Sequence, residues 1–209
     1  MKYVAFFLLA LITLASLAPA GAAQIKINEI LADPNTDWDS DGAANSKLDE
    51  WVEIMNVSSS PVDLSEYRLT DESAGVNWRF ALSGTLAPGA VRAYLGTEVV
   101  EWQTANGVSA FGLSLNNSGD TVYLYRVSGA DTTLVDSYTY TTAEVADDRA
   151  VGRLPNGTGA WVLFDGLNPY TGASPPVATG CLPTPGALAS CQTPAEVSTW
   201  GKVKSQYAH

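Results

Sequence analysis

From Gln24 onward, apolar and polar residues alternate in short runs, each cut off by Gly, Pro, Asn, Asp or Ser. A period of two is the pattern of strands with one face turned inward. QIKINEIL at 24–31 alternates through Ile25, Ile27 and, less cleanly, Leu31. WVEIMN at 51–56 places Val52 and Ile54, with Glu50 before them, on one face, and Trp51, Glu53 and Met55 on the other. Val62, Leu64, Tyr67 and Leu69 mark a third strand, with a bulge where the alternation slips between Leu64 and Tyr67. VNWRFAL at 76–82 and AVRAYLG at 90–96 follow, and residues 97–107 fit either a short helix or an excursion loop. TVYLYRV and TLVDSYTY face each other across Ser128-Gly129-Ala130-Asp131 as a hairpin, and RAVGRLP and GAWVLF close the run. Many short strands joined by turn residues predict an all-β fold, an antiparallel β-sandwich over residues 24–164.

Beyond residue 164 the composition changes. Residues 165–192 form a Pro- and Gly-rich closing segment, and a short C-terminal helix is predicted over 193–209. Thr193-Pro194-Ala195-Glu196 supplies an N-cap, a proline at the first helical position and a capping-box glutamate. Val197, Trp200, Val203 and Tyr207 then line one face. At the other end, Lys2 and the apolar run Val4–Ala18, followed by Ala18-Pro19-Ala20-Gly21-Ala22, read as a secretory signal peptide over residues 1–23. An uncleaved anchor is the alternative. No second apolar run of that length follows, so no membrane span is expected after its removal, and the expected location is secreted, periplasmic or at the cell surface.

Charge narrows the partners. The net charge is −11, which argues against nucleic acid, because Lys and Arg must neutralise phosphates for such binding. A cation, a glycan or another protein suits this surface better. The two cysteines, Cys181 and Cys191, are expected to form one disulfide in an exported chain. The single histidine, His209, is the last residue, which disfavours a Ser–His–Asp hydrolase or a histidine-ligated zinc site. Asp147-Asp148 as a hydrolytic pair is disfavoured too, since neighbours on a strand face opposite ways.

The most chemically suggestive stretch is DWDSDGAANSKLDE at 37–50. Measured against a calcium loop, Asp37, Asp39 and Asp41 take the first, third and fifth places, and Gly42 the sixth. Ala43 offers a carbonyl and Asn45 a water-mediated ligand. Leu48 stands where the bidentate acid belongs, and Asp49 or Glu50 would have to replace it. Ca2+ is the expected cofactor on this reading. The alternative is a hydrated loop with Asx turns.

Several elements resemble the lamin tail domain family. INEI at 27–30, DEWVEIMN at 49–56, DLSEYRLTD at 63–71, WRFALSGTLAPG at 78–89, GLSLNNSGDTVYLY at 112–125, GRLPNGTGAW at 152–161 and PTPG at 183–186 recur in the family's order. No single one is specific; the series is. The resemblance implies an immunoglobulin-like β-sandwich with Val52, Ile54, Leu69, Phe80, Leu86 and Val122 in the core, and Trp78 and Trp161 as packing aromatics. It also implies a non-catalytic interaction module with no catalytic residues. The partner, protein or glycan, and the residues that bind it are not indicated. A second functional reading is a glycan-binding module using Trp38, Trp51 and Trp102. An accessory part of a hydrolase system is the third.

Overall fold

The computed structural model describes residues 24–71, 77–174 and 176–191. The expected signal peptide, the C-terminal helix and Val76 lie outside those residues. The first strands are β1 (Ile25–Leu31), β2 (Trp51–Asn56), β3 (Val62–Asp63), β4 (Tyr67–Thr70), β5 (Phe80–Ala81), β6 (Thr85–Leu86) and β7 (Val91–Leu95). Helix α1 (Gly96–Ala105) follows, then β8 (Gly119–Ser128), β9 (Asp131–Thr141), β10 (Ala150–Leu154), β11 (Ala160–Phe164) and β12 (Val177–Ala178). Six strands in the order β12-β11-β10-β1-β2-β7 make the larger sheet, antiparallel except for β11 and β12, which run parallel. Four in the order β5-β4-β8-β9 make the sheet that faces it, and β3 pairs with β6 apart. This is the antiparallel sandwich that the strand pattern predicts, in the immunoglobulin-like form that the resemblance implies.

All six residues expected in the core are buried there, together with Ile25, Ile27, Ile30, Leu64, Tyr94, Leu124, Val151 and Leu163. Removing each such aliphatic side chain from water stabilises the fold by about 1.5–3 kcal/mol. The irregular alternation of the first strand has a specific cause. The register of β1 on β2 shifts between Ile27 and Glu29, which leaves Asn28 as the extra residue of a bulge. The shift turns Ile30 inward beside Val52, and Leu31 outward beside Trp51. The Asp136 carboxylate of β9 accepts from the Ile27 N–H at 3.1 Å, and Arg153 and Lys26 lie 3.3 and 3.6 Å from it. Asp136 therefore ties the two sheets together at the bulge.

Two elements differ from the pattern. The expected third strand is two, β3 and β4, because Asp63 accepts from the Ser65 N–H and Tyr67 donates to the Leu64 carbonyl, making a turn. Residues 97–107 resolve into α1 and its C-terminal turn. The helix begins at Gly96, where a Cβ would stand 1.9 Å from the Lys47 carbonyl oxygen, so no larger residue fits.

The strand WVEIMN reads as half-buried, yet both of its faces are covered. On the outer face of the larger sheet, Leu31, Trp51, Ala150 and Phe164 form a second apolar cluster with Cys181. Its cover is the closing segment, held by the Cys181–Cys191 disulfide with a Cα separation of 5.5 Å, as the cysteine count predicts. The Asp165 carboxylate gathers the N–H groups of Tyr170, Thr179 and Gly180 and so fixes where that segment begins.

Under this cover Glu29 and Glu53 stand opposite each other across β1 and β2, both fully buried. Glu29 accepts from the N–H and hydroxyl of Thr184 at 3.1 and 2.9 Å. Glu53 accepts from Asn28 Nδ2 at 2.7 Å and the Gly186 N–H at 2.8 Å. Burial, and then the charge of Glu53, push the Glu29 carboxyl well above the usual carboxylate range. Burial likewise pushes Glu53 up to about 7, despite these donors.

Two predictions follow from the covered face. Acids whose folded pKa lies above their unfolded value of about 4.3 hold protons more tightly in the folded state. Their stabilisation is therefore complete below that value and is lost as pH rises through the folded pKa. The melting temperature is expected to fall between pH 5 and pH 8, and Glu53→Gln is expected to reduce the fall. A flat or rising profile across that window contradicts the assignment. Separately, closing a loop of this length stabilises by about 2–3 kcal/mol. The Cys181→Ser/Cys191→Ser variant is expected to melt roughly 5–10 °C lower, read by circular dichroism, at about 2–4 °C per kcal/mol for a chain of this size.

Candidate functional site

The loop between β1 and β2 is organised by two aspartates that approach it from below. Asp148, at φ 55° just ahead of β10, accepts from the N–H groups of Asn35 and Thr36 at 2.9 and 3.0 Å. It also accepts from the Thr36 hydroxyl at 2.6 Å and Trp38 Nε1 at 2.9 Å. Burial alone would raise its pKa, but these bonds to the ionised form outweigh it and hold the carboxyl below its ordinary value. Asp49, fully buried at the start of β2, accepts from Trp38 N at 2.6 Å, Asp39 N at 2.9 Å and Asn45 N at 2.7 Å. The loop is thus wrapped around two carboxylates.

Above that floor lie the aspartates of the acidic run. Asp37 accepts from the N–H groups of Asp41 and Gly42 at 3.1 and 2.9 Å. Asp39 accepts from the Asp41 N–H at 3.0 Å and, on its other oxygen, from the Thr97 hydroxyl at the start of α1. The Thr97 hydroxyl is the first cause that lowers the Asp39 pKa, so this exposed-side carboxylate is charged at neutral pH. Left-handed backbone at Ser40 (φ 63°) and Gly42 (φ 101°) folds the loop back so that these contacts form. Asp37, Asp39 and Asp49 each bring a carboxylate oxygen within 4.8 Å of the others. Among the described residues no Lys or Arg pairs with any of the three.

The other residues of the expected ligand set are placed as follows. Asp41 accepts from the Ala43 N–H at 2.9 Å and stays on the exposed lip. Asn45 uses its side-chain oxygen on the N–H groups of Lys47 and Leu48, at 2.9 and 3.2 Å, as the cap of a turn. Glu50 needs a correction: it does not join the group. Adjacent residues entering a strand face opposite ways, so when Asp49 turns to the loop Glu50 turns to the interior. There it accepts from the Leu115 N–H at 3.3 Å, and burial pushes it up to about 8. Asp49, one place late for a calcium loop, is the acid that stands with Asp37 and Asp39.

The three tryptophans of the glycan reading do not share a face, which corrects that residue set. Trp51 is fully buried, and Trp38 meets it edge-on at 6.1 Å with its own N–H committed to Asp148. Trp102 lies at the far side of α1, edge-on to Phe80 at 5.8 Å. Trp161 stacks on Tyr138 at 3.8 Å with Arg153 over its ring, a packing role as expected. Nor do Asp147 and Asp148 pair for hydrolysis, since Asp148 is spent on the loop and Arg149 is turned to the Asn168 and Ala143 carbonyls. Asp148 and Thr97 are the loop's partners that sequence reading misses; they lie 112 and 58 positions from the residues they bond, with no local signal.

A two-sheet antiparallel sandwich whose longest inter-strand loop is an anchored acidic turn defines an immunoglobulin-like β module. More narrowly, the family model of the lamin tail domain matches residues 18–142, more than half of the chain, and the chain belongs to that family. The GRLPNGTGAW and PTPG elements lie beyond the matched residues. No curated protein and no solved structure matches the chain.

Asp148→Ala removes four acceptor contacts from the loop. It is expected to lower stability by about 2–4 kcal/mol, since bonds to a charged acceptor contribute about 1.5–3 kcal/mol each and are not additive. It should also change the near-ultraviolet circular dichroism and emission of Trp38. An unchanged tryptophan spectrum would show that Asp148 does not hold the loop.

Proposed function

We propose that the chain is an exported, non-catalytic interaction module of extracellular or cell-surface assembly, in which a calcium ion pins the acidic loop at the start of β2. The observation that carries this reading is the convergence of Asp37, Asp39 and Asp49. Calcium takes six to eight oxygens at about 2.3–2.6 Å, so two oxygens on one ion stand at most about 5 Å apart. The three carboxylates meet that bound. At such separations their mutual repulsion favours a bound cation. Asp41, the Ala43 carbonyl, Asn45 through water and solvent oxygens complete the proposed shell. The ion's role is structural, because the loop leads directly into the strand that carries Val52 and Ile54.

Export is supported by the apolar N-terminal run and by a disulfide of the kind that persists in oxidising compartments. No helix of the described residues is long and apolar enough to cross a membrane. The non-catalytic reading rests on the family, whose members are immunoglobulin-like domains without catalytic residues.

Calcium at about one hundred times its dissociation constant is expected to add about 2.7 kcal/mol. That corresponds to a melting temperature about 5–10 °C higher than in chelator. Asp37→Ala with Asp39→Ala should abolish the difference between calcium and chelator, which is the readout, because the variant also loses the bonds from Asp41, Gly42 and Thr97. Magnesium, which demands tighter octahedral geometry, should give a smaller shift. Identical melting curves in calcium and in chelator overturn the metal site.

A further inference from the structure

A cleft of about 480 Å3 lies beside α1, walled by Trp78 from the segment before β5, Trp102 from α1, and Val108 and Phe111 from the loop after it. Trp78 rests against Tyr125 at 5.6 Å, and Trp102 is set edge-on to Phe80 at 5.8 Å. The two loop residues have no such cover: Val108 is 41% exposed and Phe111 53%. Apolar side chains gathered in one open hollow mark a surface that another element covers.

The polar groups of the wall are already used. Arg79 donates from Nε and Nη2 to the Asp71 carboxylate, at 2.8 and 2.9 Å. Asn77 is bonded too, its carbonyl accepting from the Thr70 hydroxyl at 2.8 Å. Behind the wall, the fully buried Gln103 donates from Nε2 to the carbonyls of Arg79 and Gly112, each at 2.9 Å. Its Oε1 accepts from the Gly112 N–H at 2.9 Å. What the cleft leaves uncovered is therefore its apolar part, and an apolar occupant would deprive no wall group of its partner.

We propose that the occupant is the chain's own C-terminal segment, residues 193–209, seated through the apolar stripe that carries Trp200. The segment lies outside the described residues, but its sequence sets Val197, Trp200, Val203 and Tyr207 at helical spacing along one face, and such a face needs cover. Its tether starts close by. Cys191, bonded to Cys181, packs on the outer apolar cluster that Trp38 also joins. Trp38 shares the β1–β2 loop with Lys47, and a Cβ on Gly112 would stand 2.9 Å from the Lys47 side chain. Gly112 is the neighbour of Phe111, so a row of contacts leads from the disulfide to the cleft. Beyond Cys191 the sequence runs on for 18 residues, which is about 27 Å even when helical. A short tether gives a local concentration in the millimolar range, so a weak contact suffices to keep the segment seated. Charge favours the same pairing. Residues 192–209 hold two lysines and one acid, whereas 24–191 hold eight basic and 21 acidic residues. Lys202 and Lys204 flank Val203, and the exposed Glu101, beside Trp102, pairs with no lysine or arginine among the described residues. The docking does not rest on the metal site.

Trypsin cuts after Lys202 and Lys204, so native digestion of the whole chain, read by mass spectrometry, reports how often the segment leaves its seat. Cleavage there is expected to be about tenfold faster in Phe111→Ala and in Trp200→Ala than in the parent. Phe111 is exposed, so its variant should melt within a few degrees of the parent, and faster cleavage then reports undocking rather than unfolding. Hydrogen exchange at residues 108–112 should rise in Trp200→Ala, and all rates should be independent of protein concentration. Equal cleavage of the parent and Phe111→Ala overturns the proposal. So does protection that is lost on dilution, which assigns the cleft to a second copy's segment. Protection lost in Leu182→Ser/Leu188→Ser but kept in Phe111→Ala also overturns it, by moving the seat to those exposed residues of the closing segment.

Discussion

Glu29 and Glu53 face each other across the middle of the larger sheet, and among the described residues no lysine or arginine answers them. Two carboxyls in that position are tolerable only if something donates hydrogen bonds to their oxygens. Thr184 and Gly186 do so, and these residues belong to a segment without regular secondary structure. Much else follows from that requirement. The closing segment must lie flat on the outer face, the disulfide must stop it from lifting, and Asn156, bonded to Asn28 and to both polar groups of Ala189, must fix its far end. An apolar pair in place of the glutamates would bind the segment less specifically, since only polar groups dictate which backbone N–H groups they meet.

The acidic loop obeys the same logic with the opposite sign. It also concentrates carboxylates, but Asp148 is given so many backbone and side-chain donors that its ionised form is favoured. Burial raises a carboxyl's pKa and donors to its ionised form lower it; burial wins at Glu29 and Glu53, and the donors win at Asp148. A single fold thus holds two carboxyls raised by burial beneath the closing segment and one lowered by its donors beneath the loop.

What the sequence made legible was whatever depends on neighbours a few positions away. WVEIMN, the 128–131 turn and the acidic run are readable because alternation, turn residues and carboxylate spacing are local. The bulge at Asn28 hid Ile30 from the alternation, since a single extra residue exchanges inside for outside from that point on. Helix α1 could not be told from a loop because it has no side-chain cap and because Gln103, one of its buried residues, is polar. The burial of Glu29 and Glu53 was invisible for a different reason. Both sit at positions that read as solvent-facing in isolated strands, and the residues that cover them are 155 and 133 positions away. Likewise the seven-ligand reading of the loop counted along the chain and so gave Glu50 a place that strand geometry denies it.

The position of β1 has a bearing on how such a chain comes to fold. It is the earliest strand described, yet it lies between β2 and β10 near the middle of its sheet, bonded through Ile27 to a residue 109 positions later and through Glu29 to one 155 positions later. As the polypeptide is made, β1 can pair with β2 but must wait for its other neighbour, β10, until the chain has grown past residue 150. Topologies of this kind fold in milliseconds to seconds rather than microseconds, and they leave a hydrophobic strand edge open meanwhile. A chain released at residue 142, where the family-model match ends, would leave β1 unpaired on its β10 side and Glu29 and Glu53 without Thr184 and Gly186.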